Sequence, residues 1–225
     1  MKYSVILADI DNTLFDFNAA SAAGLTATFA HFSLPFSEGD RQLFFSINDS
    51  MWRAFERGEI EKAEIYEGRF ERYLAAQGLH GDKAEMNRYY MLRLREGHQL
   101  MPHCRELLQA LNARGCEVYA ATNGETAVQL SRMEASGVKH LFRDHFISEG
   151  MCAAKPSKAY FDEVFSRIGE EKRKKAIILG DSLTGDMQGG RNAGIATCFF
   201  GNPDEADSRC DYTITDLLDF LKIIE

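Results

Sequence analysis

The chain has 225 residues, 45% of them hydrophobic, and a formal net charge of −8. That length and apolar content suit one large domain, or a domain with an insertion, built on its own core. The acidic balance argues against nucleic acid or an anionic membrane as a generic partner, while leaving room for a small anionic substrate gripped by local groups.

The Met1-Lys2 start shows no signal-peptide layout and leads directly into residues 3–8, an apolar run that reads as a buried strand. The run ends on Asp9-Ile10-Asp11-Asn12-Thr13-Leu14. Carboxylates are poor strand formers and costly to bury, so a pair at this place needs a reason. A strand ending in an Asx turn is one. Phosphoryl transfer is the stronger one: one aspartate attacks phosphorus, its neighbour shuttles a proton, and a magnesium ion offsets the crowded charge.

Residues 17–95 carry helical periodicity and no strand pattern. Helices are predicted over residues 19–32, 41–57, 62–77 and 83–95, punctuated by Gly39, Gly58, Gly78 and Gly81. This stretch reads as an all-helical insertion after the first strand. Its aromatic residues, among them Phe29, Phe44, Trp52, Phe70 and Tyr73, are expected to form mostly its own core.

After residue 100, strand and helix signals alternate. Strands are predicted over residues 117–121, 144–148, 176–179 and 196–200, with an edge strand at 212–214. Between them lie helices over 103–114, 125–135 and 157–168, stopping at Gly115, Gly137 and Gly169. Single helices between short strands imply right-handed crossovers and a mostly parallel sheet, which binds ligands at the carboxyl ends of its strands. The charged run at residues 170–175 reads as a solvated loop. No apolar run is long enough to cross a bilayer. The five cysteines (Cys104, Cys116, Cys152, Cys198, Cys210) lack any C-x-x-C spacing and fit the reduced thiols of a cytoplasmic protein.

Four strand-end motifs occur in order. After Asp9-x-Asp11-x-Thr13 comes Thr122-Asn123-Gly124, a hydroxyl and a turn whose backbone N–H groups can cradle phosphate oxygens. Lys155-Pro156 offers a lysine able to neutralise a buried anion. Gly180-Asp181-Ser182 places a carboxylate at a buried strand end, where it suits a hard cation, and Asp186 follows at a helix start.

Together these residues resemble the haloacid dehalogenase superfamily of phosphotransferases. The resemblance implies a Rossmann-like α/β core (residues 1–16 and 96–225) with a helical cap (residues 17–95) that closes over the active site. It implies Asp9 as nucleophile and Asp11 as general acid/base. Thr122 and Lys155 would hold the phosphoryl group with Asn123 and Gly124. Magnesium would sit on the Asp9 carboxylate, the Asp11 carbonyl and Asp181, with Asp186 supporting its water shell or Lys155. Phe15-Asp16-Phe17 would form the turn and flap that link cap to core. Phe15 and Phe17 are the candidates for lining the base side of the substrate, with Trp52 expected rather in the core of the cap. A dehalogenase expels halide and needs no proton, whereas a phosphatase must protonate an alkoxide, so the presence of Asp11 favours a phosphatase over a dehalogenase, while mutases share the first motif and stay open.

The whole chain is similar to the pyrimidine nucleotidase (noncanonical 5′-nucleotidase) branch, through Ile47-Asn48-Asp49-Ser50-Met51-Trp52, the Gly58 turn, Gly68-Arg69-Phe70 and Ile147-Ser148-Glu149. Asn12 replaces the commoner glycine or glutamate, and Cys152-Ala153-Ala154-Lys155 replaces a valine-glycine approach to the lysine. Neither change removes a reacting group. The expectation is a cytoplasmic, magnesium-dependent phosphomonoesterase, monomeric or homodimeric, acting on nucleoside 5′-monophosphates with pyrimidines preferred. The alternatives are a phosphatase of another small metabolite, such as a sugar phosphate or phosphoglycolate, and a phosphate-accepting signalling module. Receiver domains share the aspartates, hydroxyl, lysine and magnesium but lack the helical insertion.

Overall fold

A computed structural model describes residues 1–151 and 153–225; of the lysine approach noted above, Cys152 lies outside the described residues. The chain divides into two compact units, one made of Met1–Phe17 with His98–Glu225 and the other of Asn18–Gly97.

The second unit is built from helices α1 (Phe17–His31, its first residue belonging to the first unit), α2 (Glu38–Glu56), α3 (Lys62–Gln77) and α4 (Lys83–Leu94). Helix α2 begins three residues before its predicted start. Ser37 and Asp40 form a reciprocal capping box that satisfies the free N–H groups of the first turn, so Gly39 lies inside the helix instead of breaking it. The interior is aromatic: Phe44 meets Phe70 at 4.9 Å between ring centroids, and Tyr73 meets Phe29 at 5.0 Å. Arg69 is buried among these rings. Its guanidinium donates to the Asn87 side-chain carbonyl at 2.6 and 3.0 Å and lies 4.7 Å from the centre of the Tyr90 ring.

The first unit holds, among the described residues, six strands: β1 (Val5–Ala8), β2 (Glu117–Thr122), β3 (Asp144–Ile147), β4 (Ala176–Gly180), β5 (Ala196–Phe200) and β6 (Tyr212–Ile214). They form one sheet in the order β3-β2-β1-β4-β5-β6, every pair parallel. Helices α5 (Cys104–Ala113), α6 (Thr126–Ala135), α7 (Lys158–Ile168), α8 (Gln188–Ala193) and α9 (Phe220–Ile223) complete the unit. Both sheet faces are covered, as an all-parallel sheet requires. Ile6, Ala8, Val118, Ala120, Ile177 and Leu179 enter one core cluster, while the alternate residues Val5, Leu7, Tyr119, Ala121 and Ile178 enter the other.

The charged run at Glu170–Lys175 is a 3₁₀ stretch, not a freely solvated loop. Lys172 pairs with Glu117 at 2.6 Å and Arg173 with Asp162 at 2.9 Å, which ties the run to β2 and α7. Among the described residues no helix is long and apolar enough to cross a membrane.

Candidate active site

The register of the sheet assembles the site. Ala8 lies opposite Ala120 on β2 and Leu179 on β4, so the next residue along β1, Asp9, emerges level with Ala121 and Gly180. Its N–H donates to the Leu179 carbonyl at 2.9 Å. Thr122 and Asp181 follow at the ends of the two neighbouring strands. Because the chain leaves β1 first toward β2 and later returns to its other side at β4, these carboxyl ends border a topological switch point.

Lys155 reaches this place from the segment between β3 and α7. Its ammonium donates to Asp9 Oδ1, to Asp186 Oδ1 and to the Ala121 carbonyl, each at 2.6 Å. The Lys155 backbone is clamped by Asn123, whose side-chain oxygen accepts from the Lys155 N–H at 3.0 Å and whose amide donates to the Lys155 carbonyl at 2.9 Å. The Asn123 side chain therefore positions the lysine; only its backbone remains for the predicted phosphate cradle.

Asp9, Asp181 and Asp186 bring carboxylate oxygens within 4.8 Å of one another. Three carboxylates against one ammonium leave an excess of negative charge in a buried place. Burial raises the Asp9 carboxyl to about 7, with Lys155 opposing and Asp186 and Asp11 reinforcing the rise. Burial, then the charges of Asp9 and Asp186, hold Asp181 well above the usual carboxylate range. Burial alone would lower Lys155, but Asp186 and Asp9 outweigh it and keep the ammonium charged. Hard oxygen donors with uncompensated charge fit magnesium. Asp9 and Asp181 are the residues that could hold it, since both Asp186 oxygens are engaged, Oδ1 by Lys155 and Oδ2 by the Ser182 N–H at 3.1 Å, whereas Lys155 takes Oδ1 of Asp9.

Asp186 does not start a helix. It lies inside a π-helical turn, Leu183–Met187, whose cap is Ser182, accepting from the Gly185 N–H at 2.9 Å. The serine hydroxyl is the better cap at this spacing, which frees the Asp186 carboxylate for the lysine.

The Asp11 carboxylate stands apart from the acidic cluster. It is partly exposed and accepts from two side chains of α6, Gln129 Nε2 at 2.5 Å and Arg132 Nη1. Gln129 also donates to Thr122 Oγ at 3.3 Å, and the Gly124 N–H donates to the same oxygen at 3.0 Å. With both lone pairs used, the Thr122 hydroxyl keeps its proton to donate to an anion. Phe15 is fully buried in the core with its ring 5.2 Å beneath the Arg132 guanidinium, so it packs and does not line a pocket. Phe17 is half-buried at the start of α1. Sequence reasoning missed Gln129 and Arg132. The available signal was their position, since they share the stripe of α6 that buries Val128 and Met133.

Residues 3–194 match the haloacid dehalogenase-like hydrolase family. The chain is 37% identical over 203 residues to the HAD-hydrolase YfnB of Bacillus subtilis, covering 90% of this chain and 86% of YfnB. A magnesium-bound crystal structure of YfnB superposes with a TM-score of 0.93 at 35% identity, covering 100% of this chain and 99% of that one. The chain is 32% identical to the pyrimidine 5′-nucleotidase PynA of Streptococcus pneumoniae, covering 98% of this chain and 96% of PynA. It is also 32% identical to the pyrimidine 5′-nucleotidase YjjG of Escherichia coli, covering 88% of this chain and 86% of YjjG.

Proposed function

The chain belongs to the haloacid dehalogenase-like hydrolase family, and on that premise we propose that it is a magnesium-dependent phosphomonoesterase of nucleoside 5′-monophosphates, with pyrimidines preferred. The observation that carries the reaction is the divergence of the two carboxylates of the first motif. Asp9 is buried against a lysine, while Asp11 is partly exposed and held by separate donors. Two carboxylates in unlike environments can take unlike roles.

Asp9 attacks phosphorus in line. The bond from phosphorus to the 5′-oxygen breaks, its electron pair goes to that oxygen, and Asp11 delivers the proton. Water then attacks the aspartyl-phosphate and gives its proton to Asp11. The bond from phosphorus to Asp9 breaks, releasing phosphate and restoring the carboxylate. Lys155, the Thr122 hydroxyl and the backbone N–H of Asn123 orient and neutralise the phosphoryl oxygens, while the Gly124 N–H holds the Thr122 hydroxyl. Magnesium, when bound by Asp9 and Asp181 with the Asp11 carbonyl, supplies charge that stabilises the transferring group.

The substrate class is supported by PynA and YjjG, both pyrimidine 5′-nucleotidases that align with most of this chain. The phosphate site is indifferent to the rest of the molecule, so discrimination needs contacts made to the nucleoside. Phe17, half-buried at the end of the first segment of the catalytic unit, is an aromatic candidate for stacking on a base.

The test is a kcat/KM series over uridine, thymidine, adenosine and guanosine 5′-monophosphates, glucose 6-phosphate and phosphoglycolate. The pyrimidine nucleotides are expected to lead. If a sugar phosphate or phosphoglycolate leads by about tenfold, or roughly 1.4 kcal/mol of transition-state discrimination, the nucleotidase reading fails and the phosphatase reading remains.

A further inference from the structure

We propose that Arg132 and Gln129 are positioning residues for Asp11, holding its carboxylate by both oxygens in one orientation for proton transfer. The inference deepens the phosphatase reading and rests on it.

The backbone around Asp11 is already fixed. Asn12 adopts a left-handed conformation (φ 57°), and the turn is closed by hydrogen bonds from the N–H groups of Leu14 and Phe15 to the Ile10 carbonyl, at 3.0 and 2.8 Å. The Asn12 N–H donates to the Phe15 carbonyl at 2.8 Å. What freedom remains at Asp11 belongs to its side chain. Gln129 and Arg132 remove it, because residues three apart on a helix project from the same face. One takes Oδ2 and the other Oδ1.

The holders are themselves held. Gln129 divides its amide between Asp11 and Thr122, and its carbonyl accepts from Arg132 Nη1 at 3.4 Å. Arg132 is fully buried, with Phe15 beneath its guanidinium. Thr122, Gln129, Asp11 and Arg132 thus form one connected network, which ties the proton-transfer group to the residue expected to hold the phosphoryl group. A site whose supporting shell is locked in this way keeps reacting groups within catalytic tolerance.

A structural ion pair is the competing explanation. Buried ion pairs are often no better for stability than apolar packing of the same volume, so stability alone is a weak reason to bury an arginine here. Asp11, moreover, is the partly exposed member of the pair, left accessible to whatever occupies the site.

The two explanations part in a double-mutant cycle, which isolates what one residue does through another. Steady-state kcat and KM for the leading alkyl phosphate of the series above, whose alkoxide leaving group needs a proton, would be measured with magnesium for the full-length protein, Arg132→Gln, Arg132→Lys, Gln129→Met, Asp11→Asn and the doubles Arg132→Gln/Asp11→Asn and Gln129→Met/Asp11→Asn. Positioned proton transfer is worth about 10²–10⁴-fold, so losing the position should lower kcat by about 10–100-fold with KM within threefold. Arg132→Lys should recover part of the loss. In the Asp11→Asn background, neither substitution should add more than about twofold. Gln129→Met carries the same prediction if Arg132→Gln does not fold. Equal losses in both backgrounds, a loss confined to KM, or wild-type kcat in the single variants would overturn the positioning role. Asp9→Asn, assayed alongside, tests the reaction itself. If it retains a tenth of wild-type turnover, or if the wild type has none, the phosphatase reading falls and the inference falls with it.

Discussion

Lys155 and Asp186 meet at 2.6 Å with both side chains buried. The lysine comes from a segment pinned by Asn123, and the aspartate from a turn pinned by Ser182. The pair therefore joins two loops that the sheet topology brings to one place, and it aims the ammonium at Asp9, also 2.6 Å away.

Asp186→Asn keeps the volume and removes the charge. Breaking a buried pair costs about 3–5 kcal/mol when the remaining charge has no other partner. Here Asp9 still faces the lysine, so a loss of about 2–3 kcal/mol is expected. Urea unfolding of the magnesium-free protein at pH 7.5 measures it. A change below about 0.5 kcal/mol, the range of ordinary surface substitutions, would show that the pair does not hold the two loops together.

The proposed magnesium site is a cluster that also takes up protons, so the ion is expected to compete with them there. Asp9 has an ordinary value near 3.8 and is raised to about 7 in the folded, metal-free protein. The folded state therefore binds this proton more tightly than the unfolded chain. Its contribution to stability is fully present below about pH 4 and is lost as pH rises toward 7. Asp181, also raised, acts in the same direction. Magnesium binds the ionised carboxylates, so its stabilising effect should grow over the range in which the protein alone is losing stability. Thermal midpoints with and without magnesium at pH 5.5, 6.5, 7.5 and 8.0 should diverge progressively. A magnesium shift that is constant or shrinks with pH would mean the ion is held elsewhere. Chelation should abolish turnover, and magnesium, but not calcium with its longer and more numerous bonds, should restore it.

The sheet and its strand-end residues were legible in the sequence because short apolar runs stopped at chemically costly residues. Asp9, Thr122 and Asp181 announce themselves by ending buried strands. The parallel register then fixes their meeting place without further information. What escaped were polar residues whose partners are remote in sequence. Arg132 and Asp11 are 121 positions apart, and although Arg132 shares the buried stripe of α6 with Val128 and Met133, that stripe does not name the carboxylate it meets. Gly39 reads as a break before α2, yet Ser37 and Asp40 carry the capping box around it and start the helix earlier. The aromatic residue at position 15 read as an accessible flap. Its backbone bridges to Asp11 and Leu100 instead fold it inward, beneath Arg132.

Gly180 tests how tightly the site is built. Its backbone angles are ordinary, so only space demands a glycine there. A Cβ at this position would sit 2.6 Å from the Asp186 Cβ and closer still to the Asp186 carboxylate. A flexible side chain could swing away, but Asp186 is anchored by the Lys155 ammonium and the Ser182 N–H. Gly180→Ala must therefore displace Asp186, shift the β4 backbone, or both. Overpacking a filled interior costs about 1–3 kcal/mol. The displacement should also misdirect Lys155, and even a misplacement of about 1 Å can cost some 10²-fold in rate. The expectation is a folded protein with a lowered thermal midpoint and kcat reduced at least about tenfold. Gly190→Ala serves as the comparison. Its Cβ would meet Ile178 at 2.8 Å and also crowd Thr197, away from the carboxylates, so it should lower stability with little change in kcat. If the two variants lose kcat equally at matched stability, the close approach of Gly180 to Asp186 is a packing feature alone and does not set the position of the lysine.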